Sequence, residues 1–254
     1  MAINKAKQRM LQGKAAIGAE AGVGSPFSAE LMSPLGFDFI LVDNQHGNWD
    51  ERGTFEAMRG IGLGPAVPMA RVRQNDFGAI GRLLDMGALG IVVPMVHNAE
   101  LAKEAAFAMR YPPHGGRSGG AYGVGFHGGD DYMSWADDEL FLAVQIESAE
   151  GLENAEEIMA VEGVDGCWVG PGDLGFSMGL DRSTPEGEKT HTEAIDSIFA
   201  ACRKTGKIPG LSSGSVDVAQ PWLDKGGLFM TIGVDSRWMK EGATEALRRL
   251  GRTS

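Results

Sequence analysis

Phe141-Leu142-Ala143-Val144-Gln145-Ile146-Glu147 is a short apolar run that ends on a carboxylate. One amphipathic stretch later, at residues 152–161, comes a second such run, Gly166-Cys167-Trp168-Val169-Gly170-Pro171-Gly172-Asp173. Two buried runs separated by a helical pattern read as one strand–helix–strand unit of a parallel sheet. A carboxylate at the end of a buried strand is costly unless a cation or hydrogen bonds compensate it. Two such ends, one unit apart, could share a divalent cation.

The same alternation extends in both directions. Candidate strands are residues 15–21, 37–42, 66–71, 90–93, 141–146, 166–169, 208–211 and 229–233. Between them lie amphipathic stretches at 27–34, 51–60, 77–86, 99–109, 152–161, 192–205, 216–225 and 236–250. Gly36, Gly87, Gly163, Gly206 and Gly226 each follow a helical stretch, where helix C-terminal glycines are placed. Eight such units in 254 residues match an α/β fold of the (β/α)8 (TIM) barrel type. A doubly wound open sheet is the competing fold. It usually carries an early glycine fingerprint, which Gly18-Ala-Glu-Ala-Gly22-Val-Gly24 matches poorly.

Residues 1–254 thus read as a single barrel domain, interrupted by a glycine-rich loop at about 111–138. That loop lacks the Gly-Lys-Ser/Thr ending of a phosphate-binding loop, and its expected role is a lid or subunit contact. Hydrophobic residues make up 43% and charged residues 22%, the balance of a globular chain. Net charge is -11 without a basic block, which argues against nucleic acid or an anionic membrane as partner. No apolar run approaches a membrane span. Residues 1–14 are charged and helical, without a signal-peptide apolar region, so the cytoplasm is the expected location. Cys167 and Cys202 fit no zinc spacing, and Cys167 is expected in the core.

In a barrel, catalytic groups come from the carboxyl-terminal ends of the strands. Here those ends carry Asp43-Asn44-Gln45-His46, Arg71, Gln145-Ile146-Glu147 and Gly170-Pro171-Gly172-Asp173. Two carboxylates leave open positions on a hard cation such as Mg²⁺, Mn²⁺ or Co²⁺. A 2-oxo acid can fill them, and the ion then polarises its ketone. Arg71 can stabilise an enolate, and His46 can move protons near neutral pH. Asp43 or Asp85 could orient the histidine. No Gly-x-Ser-x-Gly elbow exists and no lysine stands at a strand end, so covalent routes are disfavoured. His97 and His191 are expected as capping or surface residues, His127 in the long loop, and Trp49, Trp168 and Trp222 in packing.

At these residues the chain resembles the HpcH/HpaI-type, metal-dependent (class II) pyruvate aldolases, which include 4-hydroxy-2-oxoheptanedioate and 2-dehydro-3-deoxyglucarate aldolases. The resemblance runs from about Gly18 to Leu250. It is carried by Gly36-Phe-Asp-Phe-Ile-Leu-Val-Asp43, His46, Arg71, Leu83-Leu-Asp85-Met-Gly87, Val93-Pro-Met-Val96, Arg110-Tyr-Pro-Pro113, Gln145-Ile-Glu147, Gly170-Pro-Gly-Asp173-Leu and Ile232-Gly-Val-Asp235. It implies a barrel of the phosphoenolpyruvate/pyruvate type, a homo-oligomer (hexamer), and cleavage of a 4-hydroxy-2-oxo acid to pyruvate or hydroxypyruvate and an aldehyde through a metal-stabilised enolate. It further implies Glu147 and Asp173 as metal ligands, His46 as base, and Arg71 as transition-state stabiliser. Asp85 would raise the basicity of the histidine. Gln145, Gly172, Asp173 and Ser212, with Arg71, would contact substrate. Gln45 stands where many members carry glutamate, and Gly172 where alanine is common. Two other readings use the same frame: a citrate-lyase-like or malyl-CoA-type thioester lyase, and a non-catalytic barrel that binds a 2-oxo acid.

Overall fold

The computed structural model describes residues 3–120, 123 and 131–252. Eight strands run in parallel: β1 (Ala16–Ala21), β2 (Phe39–Asp43), β3 (Val67–Arg71), β4 (Gly90–Val93), β5 (Phe141–Val144), β6 (Gly166–Cys167), β7 (Gly210–Ser212) and β8 (Phe229–Val234). Each neighbours the next in sequence, and β8 returns to β1. The bridges Gly166↔Ile208 and Val169↔Leu211 join β6 to β7 and close the barrel.

Among the described residues, α1 (Lys5–Leu11) precedes the barrel. The helices α2 (Pro26–Met32), α3 (Glu51–Gly62), α4 (Phe77–Asp85), α5 (Ala99–Met109) and α6 (Tyr132–Glu139) follow in its first half. Its second half carries α7 (Ala149–Glu153), α8 (Ala155–Met159), α9 (Pro171–Ser177), α10 (Pro185–Lys204), α11 (Val216–Asp224) and α12 (Asp235–Arg249). Local chemistry sets where they start. The Gly53 N–H donates to Asp50 at 2.7 Å, Ala79 to Asp76 at 2.7 Å and Leu101 to Asn98 at 3.0 Å. Each satisfies one of the amide donors a helix start leaves unpaired. Gly87 and Gly206 end α4 and α10 at φ 104° and 70°, a backbone region that disfavours any residue with a Cβ.

Several expected bounds shift for identifiable reasons. The helix expected at 152–161 is two short ones, because Asn154 leaves helical geometry and donates to the His97 carbonyl at 3.0 Å. The helix expected from 192 begins at Pro185, capped by Thr184. Its first turn is polar (Glu186, Glu188) and carries no apolar period to read. The end of the glycine-rich loop is helical as α6. His127, with residues 121, 122 and 124–130 of that loop, lies outside the described residues.

The barrel interior is filled by aromatic side chains. Phe39 stacks on Phe229 at 4.7 Å between centroids, and Phe141 meets Phe229 edge-on at 4.9 Å. All three are fully buried. The Phe39 ring fills the space a Cβ on Gly18 would need, so the glycine in β1 is a packing requirement.

The amino-terminal end of the barrel is sealed by α1. Buried Asn4 donates to the Leu89 and Glu139 carbonyls at 2.9 and 3.0 Å. Buried Lys7 donates to Leu140 O at 2.7 Å and pairs with Asp165 at 3.0 Å. With that end closed, the barrel interior opens at its carboxyl-terminal rim. Cys167 and Cys202 are buried core residues with sulfurs 3.3 Å apart.

Phe229→Ala should lower the unfolding free energy by about 3–5 kcal/mol, because two ring contacts are lost around a cavity that rigid strands cannot close. Urea denaturation measures this, and a loss below about 1 kcal/mol would show that the interior relaxes far more than close-packed cores do.

Candidate active site

Asp43 is the last residue of β2 and Arg71 the last of β3, paired directly in register. Their side chains form a bidentate ion pair. Arg71 Nε donates to Asp43 Oδ1 at 2.8 Å and Nη2 to Oδ2 at 2.7 Å. Both are buried, at 7% and 6% exposure. Burial alone would raise the Asp43 carboxyl; hydrogen bonds and charge from Arg71, with the His46 and Gln45 amides, hold it below the usual carboxylate range. Oδ1 also accepts from the Gln45 amide at 3.0 Å and the His46 amide at 3.3 Å. Asp43 therefore shapes the loop that carries His46 through the backbone, and none of these bonds involves the imidazole ring. His46 itself is exposed at the rim.

The guanidinium is held on two further sides. Nη1 points at Gln145 Oε1 at 3.5 Å, and the group lies 5.2 Å from the centroid of the Trp168 ring. Trp168 is fully buried, so it packs as expected and also fixes the cation. Gln145 passes the contact on, because its Nε2 donates to Glu147 Oε2 at 2.5 Å. Arg71, Gln145 and Glu147 are thus one connected chain across β3 and the end of β5.

Glu147 is 2% exposed. Its Oε1 accepts from the Met95 amide at 2.9 Å. Met95, after β4, has φ 58°, an uncommon value for a residue with a side chain. That backbone conformation belongs to the turn whose N–H reaches the carboxylate. Sequence patterns point at side chains, so this backbone donor had no signal to reveal it. Burial pushes the Glu147 carboxyl up to about 7; the Met95 bond opposes this and the Asp173 charge adds to it. Asp173 lies in the first turn of α9, not on the strand, and is exposed. A Cβ on Gly170 would overlap Glu147 Oε2 and Gln145 Nε2, so only glycine leaves the carboxylate in place. A Cβ on Gly172 would meet nothing, so packing does not demand glycine there.

These carboxylates fit a divalent cation. One is buried and the other exposed beside it, and their mutual repulsion is compensated only in part by Arg71. Among the described residues no third His, Cys, Asp or Glu joins them, which leaves positions open for a substrate's oxygens.

Not every expected residue joins this group. Asp85 ends α4, at the end of the barrel where strands begin, and accepts from Arg117 Nη2 at 2.9 Å. Arg117 is in turn held by the Tyr132 hydroxyl at 2.8 Å and the Tyr111 ring. Asp85 is therefore not brought to His46 within one chain. His191 corrects the expectation of a surface role. It is 2% exposed inside α10, and its Nε2 lies 2.7 Å from the Pro171 carbonyl, so it braces the turn that carries Asp173. Burial pushes its imidazole pKa down. Asn98, not His97, caps α5, and His97 Nδ1 bonds Ser148 at 2.8 Å. Glu20 of β1 had not been singled out in the sequence. Its Oε1 accepts from Ser212 at 3.1 Å and Thr231 at 2.7 Å.

The model for the HpcH/HpaI aldolase/citrate lyase family matches residues 23–241. A hydroxypyruvate/pyruvate aldolase of Pseudomonas aeruginosa is 36% identical over 250 residues, 97% of this chain and 92% of that protein. A 4-hydroxy-2-oxo-heptane-1,7-dioate aldolase of Escherichia coli is 35% identical over 254 residues, 98% and 95% of the two chains. Among solved structures, a HpcH/HpaI aldolase/citrate lyase family protein of Burkholderia cenocepacia J2315 superposes with a TM-score of 0.90. It is 28% identical, and the match covers 98% of this chain and 100% of that one.

Two outcomes test the site's construction. Asp43→Asn should cost about 3–5 kcal/mol of stability at pH 7, since it leaves the Arg71 charge buried without its partner. The Asp43 pKa is depressed in the fold, so this stabilisation is present above about pH 4 and lost as pH falls through the depressed value. Denaturation curves of both proteins should therefore converge in acid. A gap that widened below pH 4 would contradict the pair's role. Gly170→Ala should weaken Mn²⁺ binding by at least about tenfold in a calorimetric titration, as loss of ligand support does. Unchanged affinity would show that Glu147 is not held where the cation needs it.

Proposed function

The chain belongs to the HpcH/HpaI aldolase/citrate lyase family and is an aldolase, and from that premise we propose its reaction: reversible, divalent-metal-dependent cleavage of a 4-hydroxy-2-oxo acid to pyruvate or hydroxypyruvate and an aldehyde. The observation that carries this reading is the buried Glu147 carboxyl, raised to about 7, beside Asp173 and joined through Gln145 to Arg71. Perturbed carboxyls of this kind cluster at functional sites.

Glu147 and Asp173 would hold the cation, Mg²⁺, Mn²⁺ or Co²⁺. When bound, such an ion supplies Lewis-acid polarisation of a ketone. The protein's own groups do the rest. Arg71 cannot swing away, because Asp43 grips two of its nitrogens and Trp168 underlies it. A cation fixed in advance stabilises negative charge that develops on the substrate oxygen without reorganising. His46, exposed on the rim, takes the C4 hydroxyl proton as the C3–C4 bond breaks. The aldehyde leaves, and a proton returned to C3 of the enolate gives the 2-oxo acid. Synthesis is the same sequence reversed. Gln145, Ser212 and the Gly172 backbone border the substrate.

A homo-oligomer, a hexamer, completes the proposal. The role assigned to Asp85 beside His46 then requires the Asp85 of a second copy, because one chain holds the two at opposite ends of the barrel. Light scattering of the purified protein measures the assembly state.

The reaction is tested by pyruvate release from a 4-hydroxy-2-oxo acid after EDTA treatment and after addition of Mg²⁺, Mn²⁺ or Co²⁺. Activity should vanish and return. Arg71→Ala should lower kcat by about 10²–10³, the cost of removing one charge-stabilising donor. Full turnover in metal-free protein would overturn the mechanism, and turnover of acyl-CoA substrates alone would favour the thioester lyase.

A further inference from the structure

A barrel interior is built in layers of four side chains from alternate strands. Three residues of one such layer already belong to the site: Arg71 from β3, Gln145 at the end of β5 and Ser212 from β7. The fourth odd strand is β1, and its inward residue at that level is Glu20. The contacts tie the four together. Arg71 reaches Gln145, Ser212 donates to Glu20 at 3.1 Å, and the Glu20 carboxyl feels the Arg71 and Asp43 charges.

We propose that Glu20 is a specificity-determining residue of the aldolase, accepting a hydrogen bond from a substrate hydroxyl on its free carboxyl oxygen. This rests on the aldolase reading and deepens it. The hydroxyls of Thr231 and Ser212 both go to Oε1. Oε2 has no hydrogen bond among the described residues and is not among the buried unpaired atoms. It opens into the mouth of the barrel, where Glu20 retains partial exposure. A carboxyl kept only to tie β1 to β7 and β8 would need one oxygen, which an amide or hydroxyl supplies without burying an acid. The other residues of β1 are apolar or glycine, with Ala19 and Ala21 on the opposite face fully buried. Glu20 is therefore the polar exception of its strand, and it lies beside Ser212 in the layer that holds Arg71 and Gln145.

The surrounding charge selects the class of group. A carboxylate arriving at Oε2 would meet like charge. An ammonium would have to approach in the field of Arg71, which acts on the same carboxyl. A neutral hydrogen-bond donor is favoured over both, and in these reactants that is a hydroxyl. Burial raises the Glu20 carboxyl, while Thr231 and the Arg71 charge oppose the rise. A carboxyl in either protonation state still presents an acceptor oxygen. The hydroxyl can come from the 2-oxo acid or from the aldehyde, and matched substrates separate these sources. Hydroxypyruvate and 2-oxobutanoate differ only as OH against CH₃, as do glycolaldehyde and propanal.

The experiment measures kcat/KM for both pairs with Mn²⁺ enzyme, in the wild type and in Glu20→Ala. Wild type should favour the hydroxyl member of one pair by about tenfold or more, the effect of one well-placed hydrogen bond. Glu20→Ala should bring that ratio to within about threefold of unity while leaving the methyl member within about threefold of wild type. A change confined to the oxo-acid pair assigns the donor's hydroxyl, and one confined to the aldehyde pair assigns the acceptor's. Glu20→Met, equally long and without oxygen, makes the same test if the alanine variant does not fold. Equal loss on both members of each pair would show a structural role and overturn the proposal, as would an unchanged ratio. If no pair turns over in wild type, the aldolase reaction fails, and calorimetric binding of the same four compounds to wild type and variant decides Glu20 by the same ratios.

Discussion

The Asp43–Arg71 pair is the interaction on which the site depends. It joins adjacent strand ends in register, so the barrel's hydrogen-bond ladder fixes the distance between the two side chains. A buried guanidinium without a partner would carry a large desolvation cost. Asp43 removes that cost and spends its remaining capacity on the Gln45 and His46 amides. The same carboxylate thus holds the Arg71 guanidinium still and shapes the loop that carries His46. Trp168 and Gln145 close the other sides, and Gln145 extends the network to Glu147.

Charge balance explains why the opposite arc differs. Arg71 is satisfied by Asp43, which leaves Glu147 and Asp173 to share a region short of positive charge. Burial and like charge raise Glu147, and the Met95 amide only partly offsets them. A rigid barrel keeps the carboxylates from moving apart, because the glycine at 170 and the bracing of Pro171 by His191 hold the turn in place. That unrelieved repulsion is what a divalent cation bound between them would relieve.

The two ends of the barrel divide stability from chemistry. At the amino-terminal end, charged groups are spent on backbone carbonyls and on one another: Lys7 with Leu140 and Asp165, Lys207 with Val164 at 2.6 Å, Arg110 with Gly163 at 2.8 Å. Those lysines are committed far from the rim, which agrees with the absence of any lysine at a strand end. At the carboxyl-terminal end, His46, Asp173 and one oxygen of Glu20 stay open. That asymmetry follows from α1, which closes one end and leaves the other open.

Much of this was legible in the chain itself, for physical reasons. Buried parallel strands must be short and apolar, helix ends call for glycine, and acids are expensive at strand ends. Glu147, Arg71 and the eight units could therefore be read from periodicity and cost alone, and the family resemblance added roles to them. Other features depend on direction and closure. Asp85 lies in a helical stretch, and α4 runs antiparallel to the strands and sets it at the far end. Glu20 sits in an unremarkable strand, and only the return of β8 to β1 brings Thr231 and Ser212 to its carboxyl. The Met95 amide reaches the Glu147 carboxylate only through a left-handed turn. Sequence by itself determined which groups could do chemistry, because local period and desolvation cost act along the chain. Tertiary structure alone decided which of them meet, because barrel closure sets distances between residues that the chain separates by 192 and 211 positions.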